Sequence, residues 1–560
     1  MCKSNKSRKP AWLLRESSNQ NWMRSRMTTK SFQLTRRGVL LSSSALMLLK
    51  AGGALSQEAN AGEGTEAPQD DADAFSFERL VEEMRAGAQR PDNPNAVEDS
   101  FLNTLNYDDY RLIRFVPERA RFGAIEHTRF ELQAFHMGWL FNRPVHLFEV
   151  ADGRIRPMKF DTDDFIYERT AREKVPERAP LPGVAGFRLH NPINRPDIMD
   201  ELVAFQGASY FRSLGRGSTY GLSARGLSVN TGSDVKEEFP RFTRFWITRP
   251  QPGSDVITVW AALESPSLTG AYEFVIEPGR NTVMEVTARL FFRKDIAQLG
   301  VAPLTSMFLY GDRNRAKFDD FRPAVHDSDG LEIVRQDGHR VWRPLSNPPR
   351  LASSFFKEDT PRSFGLCQRN RDFDHYQDAA AVYERRPSCM VEPIGDWGPG
   401  SVRLVEIPSD LEINDNIVAF WVPAQPAKAG EEMTLRYRLH WGDLPPEENG
   451  DLAYVKASRA GVGGVSGVEN EDGSRKFVVD FFGGPLEHLP PEAVEDLTVV
   501  AAAVGARITS QVLHRIPGNN SWRLVLDVIG EGEVIELSAH VEGFGQKLTE
   551  TWLFQWLTEQ

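Results

Sequence analysis

The chain has 560 residues, of which 41% are hydrophobic and 26% charged, enough apolar mass for more than one packed domain and too much for a mostly disordered chain. Its formal net charge of −12 is uneven: residues 1–61 carry eleven Lys/Arg against two Asp/Glu, which leaves the remainder at −21. A body that acidic repels phosphate backbones and anionic lipids, so nucleic acid is disfavoured as a partner and a neutral or cationic ligand fits better.

The first elements read as an address. Thr35-Arg-Arg-Gly-Val-Leu-Leu41 leads into an uncharged run, Gly38–Leu49, closed by Lys50 and followed by the small-x-small pattern Ala59-Asn-Ala61. A basic region, a short apolar region and such a site define an export signal, and the paired Arg36-Arg37 points to the twin-arginine route, which carries folded proteins. Twelve residues fall short of the ~20 that a membrane span needs. The expected mature protein is periplasmic, with no membrane insertion once residues 1–61 are removed. It keeps Cys367 and Cys389, which are read as two buried thiols in preference to a bridge, although that compartment permits one.

An acidic spacer, 62–73, precedes a helix: Phe77, Leu80, Val81 and Met84 recur at i, i+3, i+4 and i+7 with Ser76 as N-cap. Beyond it the period becomes two. Val256–Leu263, Val283–Phe292, Ile417–Val422, Met433–Leu439, Phe477–Phe482 and Trp522–Ile529 read as strands rich in β-branched and aromatic residues. Glu277-Pro-Gly-Arg280 and Pro517-Gly-Asn-Asn520 read as turns between strands. With 44 Gly, 35 Pro, 34 Phe and 12 Trp, many short strands and few helices imply sandwiches or barrels, an all-β class. Gly442–Asp451 is a turn-rich charged linker without apolar period. It divides a large domain, 74–441, from a segment of about 109 residues, 452–560, the size of an immunoglobulin-like sandwich.

Familiar catalytic patterns are mostly missing. Gly221-Leu-Ser-Ala-Arg-Gly226 departs from the nucleophile-elbow spacing by one residue and reads as a turn beside a strand. Gly461-Val-Gly-Gly-Val-Ser466 fails the dinucleotide fingerprint and reads as a loop. The eleven His show no HExxH or paired ligand spacing, so neither metal nor cofactor is expected.

The informative stretch is Pro303–Trp421, where Asp, Glu, Arg, Asn, Trp and Tyr gather in segments that do not alternate. Aromatic faces stack on the C–H side of a pyranose while carboxylates and amides bind its hydroxyls, and glycoside hydrolysis needs two carboxyl groups across the scissile bond. Composition leaves Asp327, Asp329, Asp372, Glu412 and Asp415 open as that pair. Each is read as an ordinary turn residue as readily as a catalytic one.

An ordered series of segments makes the choice. Gly207–Arg212, Tyr220–Gly226, Glu238–Phe242, Phe245–Ile247, Gly300–Phe308, His326-Asp-Ser-Asp-Gly330, Trp342-Arg-Pro-Leu345, Arg371-Asp-Phe373 and Asn414-Asp-Asn-Ile-Val-Ala419 resemble the periplasmic glucan biosynthesis proteins, the OpgG/OpgD (MdoG/MdoD) family of Gram-negative bacteria. The paired arginines look more like its D branch. The resemblance implies a large N-terminal β-sandwich of the galactose-mutarotase-like kind followed by a C-terminal immunoglobulin-like domain. It implies work on the β-1,2-linked glucose backbone of osmoregulated periplasmic glucans, as an inverting endo-β-1,2-glucanase. The family's general acid, the Asp of Asn-Asp-Asn, falls on Asp415. Its general base, the Asp of His-Asp-Ser-(Asn/Asp)-Gly, falls on Asp327. Tyr383 and Arg386 match a loop that resembles part of the active-site cover. Trp342, Arg371, Trp397 and Glu412 complete the candidate substrate contacts, although Arg371 also reads as a loop staple.

Such a pair works only if Asp415 keeps its proton, through burial or a neighbouring carboxylate such as Glu412, while Asp327 stays ionised. The carboxyls of an inverting pair typically stand ~6.5–9.5 Å apart, more where a relay of water and hydroxyls intervenes. A transglycosylase or branching factor in glucan assembly, and a non-catalytic glucan-binding protein, are the other readings. Oligomeric state, a homodimer included, is left open.

Overall fold

The computed structural model describes residues 74–559 apart from 95, 99 and 466; the export signal and the acidic spacer lie outside them. The molecule is all-β, with 48% of the described residues in strands and 11% in helices. The predicted helix runs Phe77–Ala88, with the Ser76 side chain accepting from Arg79 N–H, which satisfies one of the unpaired donors at its start. Its buried face, Leu80, Val81 and Met84, packs on Val150, Trp246, Ala262, Ala271 and Phe291, the outer side of a sheet.

Among the described residues two large sheets form, of ten and fifteen strands. Each predicted strand lies in one of them or in a further four-stranded sheet, as Ile257–Glu264, Thr282–Phe292, Ile417–Pro423, Glu432–Gly442, Arg475–Phe482 and Trp522–Gly530. The turn at Glu277–Arg280 joins the hairpin Leu268–Glu277 to Thr282–Phe292. Ser223–Arg225 is itself a short, fully buried strand, whereas the sequence reading has a turn there; pairing with Tyr210–Ser213 and Leu299–Ser306 on its two sides extends it.

The ten-stranded sheet positions the site. Its centre runs Tyr210–Ser213, Ser223–Arg225, Leu299–Ser306, Ile417–Pro423 and Pro399–Glu406. Phe211, Ala224, Leu304, Ala419 and Leu404 enter the main core between the large sheets. Strand residues alternate faces, so Tyr210, Arg225, Thr305 and Val418 occupy the opposite, outer face.

Residues after the Gly442–Asp451 stretch form the four-stranded sheet Tyr454–Val462, Arg475–Phe482, Trp522–Gly530 and Ala506–Arg515, together with Leu497–Val504, Val534–Gly543 and Thr551–Leu557. These last three continue the fifteen-stranded sheet through a parallel pairing, Val341 with Thr551 and Trp342 with Trp552. Their core takes in Trp342 and Cys367 from the preceding part of the chain.

Candidate active site

Asp327 sits where several segments converge. The strand Phe308–Tyr310 pairs with Val325–His326, and the Asp327 N–H donates to Met307 O at 2.8 Å. Ser328 Oγ meets Ser306 Oγ at 2.8 Å. The Asp329 carboxylate accepts the backbone N–H groups of Arg369 and Asn370, at 2.6 and 2.8 Å. Gly330 then starts a strand beneath Trp342, where a Cβ would stand 2.4 Å from the indole, so no larger residue fits.

The Asp327 side chain is fully buried. Arg386 Nε lies 3.8 Å from its Oδ1, and Arg386 and Tyr383 are themselves buried. The turn that carries them, Tyr383–Arg385, is tied down through its backbone. Gln368 Nε2 donates to Tyr383 O at 3.2 Å, Thr219 N–H to Arg385 O at 2.9 Å, and Arg385 donates twice to Gly217 O, at 3.0 and 2.8 Å. Arg371 donates to Glu384 O, Arg386 O and Asp443 O, which makes it the staple of this turn.

Asp415 occupies the opposite condition: it is exposed, on a turn just before Ile417–Pro423. Asn416 mounts the turn. Its amide donates to Phe308 O and Ile407 O at 2.9 and 3.0 Å and accepts from Phe308 N–H at 2.8 Å. Asn347 holds the start of the turn through Ser409 N–H and Ser409 O, at 3.0 and 2.7 Å. Asp415 is therefore not buried, contrary to one of the two expectations. Glu412, the neighbour expected to help, is instead paired with Arg322 at 2.8 Å. Arg322 also holds Asp378 at 2.8 Å and Asp320 at 2.7 Å. Burial opposes its charge, but these carboxylates hold the guanidinium protonated well above its usual range.

Beside Asp415 the outer sheet face contributes groups that the reading of local composition missed. Tyr210 and Arg225 are directly opposite on paired strands, and the guanidinium lies over the Tyr210 ring at 4.7 Å. Arg225 donates to Thr305 Oγ1 at 2.9 Å and Glu237 Oε1 at 3.0 Å. Burial pushes the Tyr210 phenol up; Arg225 opposes this, and the Asp415 and Glu237 carboxylates add to it, which places Asp415 within electrostatic reach of the ring. The available signal was the resemblance itself, since Tyr210 and Arg225 lie in two of the segments that carry it.

The structure brings together Asp327, Tyr383, Arg386 and Arg371, and separately Glu412 with the Asp415 turn. Trp342 is buried with Arg369 stacked on it at 3.6 Å. Trp397 packs against Trp421 and Tyr437, its indole N–H donating to Arg436 O at 3.2 Å. Both indoles are engaged by these neighbours. Cys367 and Cys389 are free and buried, and burial pushes both thiols far up. Cys389 lies opposite Leu366 across the strand pair, and the Cys367 sulfur contacts Met390 Sδ at 3.5 Å.

Fold and site define an all-β sandwich protein with carboxylates and arginines gathered at the outer face of one sheet. The family model described as periplasmic glucan biosynthesis protein matches residues 75–556, and the chain belongs to that family. Among its relatives, glucans biosynthesis protein G of Cereibacter sphaeroides is 54% identical over 94% of this chain and 98% of its own length. The protein of the same name from Rhodopseudomonas palustris is 42% identical, over 93% and 100%. A probable glucans biosynthesis protein D of Shewanella oneidensis is 42% identical, over 81% and 83%. Relatives of both names match, and the protein's role lies in periplasmic glucan biosynthesis.

Proposed function

We propose that this protein is an inverting endo-acting hydrolase of the β-1,2-linked glucan backbone, with Asp415 as general acid and Asp327 as general base. Asp415 gives its proton to the glycosidic oxygen as the C–O bond breaks. Water attacks the anomeric carbon from the opposite face and its proton passes to Asp327. One observation carries the reading: Asp327 through its own N–H and Asp415 through the adjoining Asn416 are tied to the same short backbone segment, Met307–Phe308, with Asp415 exposed on a braced turn and Asp327 buried. Two carboxyls mounted on one segment can serve the two sides of a scissile bond, as an acid and base pair requires. With Asp327 enclosed, the proton reaches it through a relay of water and sugar hydroxyls or after the Tyr383 turn opens.

The test is incubation of the protein with linear β-1,2-glucan and chromatography of the products. Shorter oligosaccharides are expected from the wild type and none from Asp415→Asn or Asp327→Asn, with binding retained in both. Wild-type-like turnover by either variant removes its assignment. The enclosure of Asp327 under Arg386 and Tyr383 also favours a second reading, glucan transfer, because exclusion of water lets a sugar hydroxyl compete as acceptor; longer or branched products would show it. Export by the twin-arginine route completes the proposal, and Arg36→Lys with Arg37→Lys should leave the protein in the cytoplasm.

A further inference from the structure

A cleft with a volume of about 580 Å³ lies beside the strand Arg241–Thr248, within the size range of ligand sites. Three loops build it. Gly138 and Trp139 both take positive φ, 123° and 54°, as do Gly207 and Ala208, at 74° and 42°. Such backbone is costly for Trp and Ala and persists where the surroundings enforce it. Here Trp139 N–H donates to Leu105 O at 3.1 Å, and Ala208 O accepts from Phe242 N–H at 3.0 Å. Phe141 packs against Gly207, where a Cβ would come within 3.3 Å of its ring. The third loop brings Phe239, which stays 52% exposed and presents an apolar face to the cleft.

The charges of the cleft balance. Arg241 is bound by Asp92 at 2.5 and 2.9 Å, and Arg244 by Glu83 at 2.7 Å. Arg143 and Glu264 line the same cleft with opposite sign, and no side-chain hydrogen bond or ion pair engages either among the described residues. Burial, with Arg244 nearby, pushes the His146 ring toward its neutral form. A cleft with an aromatic wall, two uncommitted polar groups and no excess charge fits a neutral polyhydroxylated ligand better than an anion. It leads toward the site at Asp415: Phe239 lies 5.9 Å from the Arg225 guanidinium, Arg225 donates to Thr305 Oγ1 at 2.9 Å, and Thr305 pairs with Val418 on the strand that follows Asp415.

We infer that this cleft is a distal subsite that binds sugar units of the same glucan chain whose linkage lies at Asp415, with Arg143 and Glu264 as hydroxyl ligands. This rests on the glucanase reading for the chain's other end. The test is calorimetric titration of the Asp415→Asn protein with linear polymeric β-1,2-glucan and with β-1,2-linked glucotriose. Adding Arg143→Ala and Glu264→Gln should weaken polymer binding about tenfold, the size of one or two lost hydrogen bonds, and leave the triose unchanged. Equal polymer affinity with and without these changes overturns the subsite, as does a polymer that fails to bind the intact cleft. Cleavage of the polymer by the wild type is followed in parallel. A wild type that does not cleave, with cleft-dependent binding, refutes the hydrolase and supports the subsite; cleavage with cleft-independent binding does the reverse. Thermal melting of the double-substituted protein, expected to match its parent, reports on the fold.

Discussion

Glu550 to alanine tests how the last strand supports the site. The Arg369 side chain is 6% exposed and that of Glu550 2%, and they form two parallel bonds of 2.9 Å each. The same guanidinium bonds Glu332 at 2.9 Å and Val455 O at 3.1 Å, and Glu550 also accepts Val455 N–H at 2.9 Å. Removing the carboxylate strips two of a buried cation's four hydrogen bonds and orphans a backbone donor. Loss of one member of such a pair costs about 3–5 kcal/mol. Because Glu332 remains, the lower end, about 3 kcal/mol, is expected, a large part of a typical total of about 5–15 kcal/mol. The loss should be felt near Asp327, since Arg369 and Asn370 N–H groups hold Asp329. Urea denaturation of Glu550→Ala, Arg369→Met and the double variant completes a cycle. The double variant should recover part of the loss, because no unpaired charge is left. A single-variant loss under about 1 kcal/mol, or strictly additive losses, would refute the reasoning.

Two further predictions come from buried titratable groups. Burial pushes His326 and His136 down to about 4 and His190 to about 3, so the unfolded chain binds more protons than the native one between those values and about 6.5. Their contribution is complete above pH ~6.5 and is lost as pH falls toward 4; denaturation midpoints at pH 7 and 4.5 should show it, and His326→Gln should reduce the difference. Cys367 and Cys389 should resist a thiol reagent in the native protein and both react in denaturant, since each is buried and unbridged; rapid native labelling of either would contradict this.

The sequence discloses elements better than it discloses their partners. The 3.6-residue period placed Phe77–Ala88, and strict alternation placed Glu432–Gly442, because one face of each meets the core. Leu299–Ser306 is buried along its whole length, so it offers no alternation to read, yet it is the strand on which the site is built. The pairing of Trp342 with Trp552 spans most of the second half of the chain and is set by packing that no local pattern records. At the site, five carboxylates were indistinguishable by composition, and only the resemblance singled out Asp327 and Asp415. Tyr210 and Arg225 escaped notice because a strand residue facing outward looks the same whether water or a ligand lies beyond it. Trp342 and Trp397 drew notice through their type, but Arg369 covers one and Trp421 and Tyr437 hold the other.

The enclosure of Asp327 has a kinetic consequence. If water can reach it only once the Tyr383 turn lifts, the rate depends on the open fraction of that turn, and weakening its anchors should speed the reaction. Arg385 is the anchor to remove: it donates twice to Gly217 O, at 3.0 and 2.8 Å, from an exposed position, while Arg371 and Gln368 keep their own bonds to the turn. A hydrogen bond of this kind contributes about 0.5–1.5 kcal/mol. Arg385→Ala should therefore raise the open fraction about fivefold, and kcat/KM on linear β-1,2-glucan with it. If the proton instead passes by a relay with the turn closed, the same change leaves kcat/KM equal or lower, because the closed turn is then the competent state. The direction of the change in kcat/KM, which needs no absolute rate, decides between opening and relay.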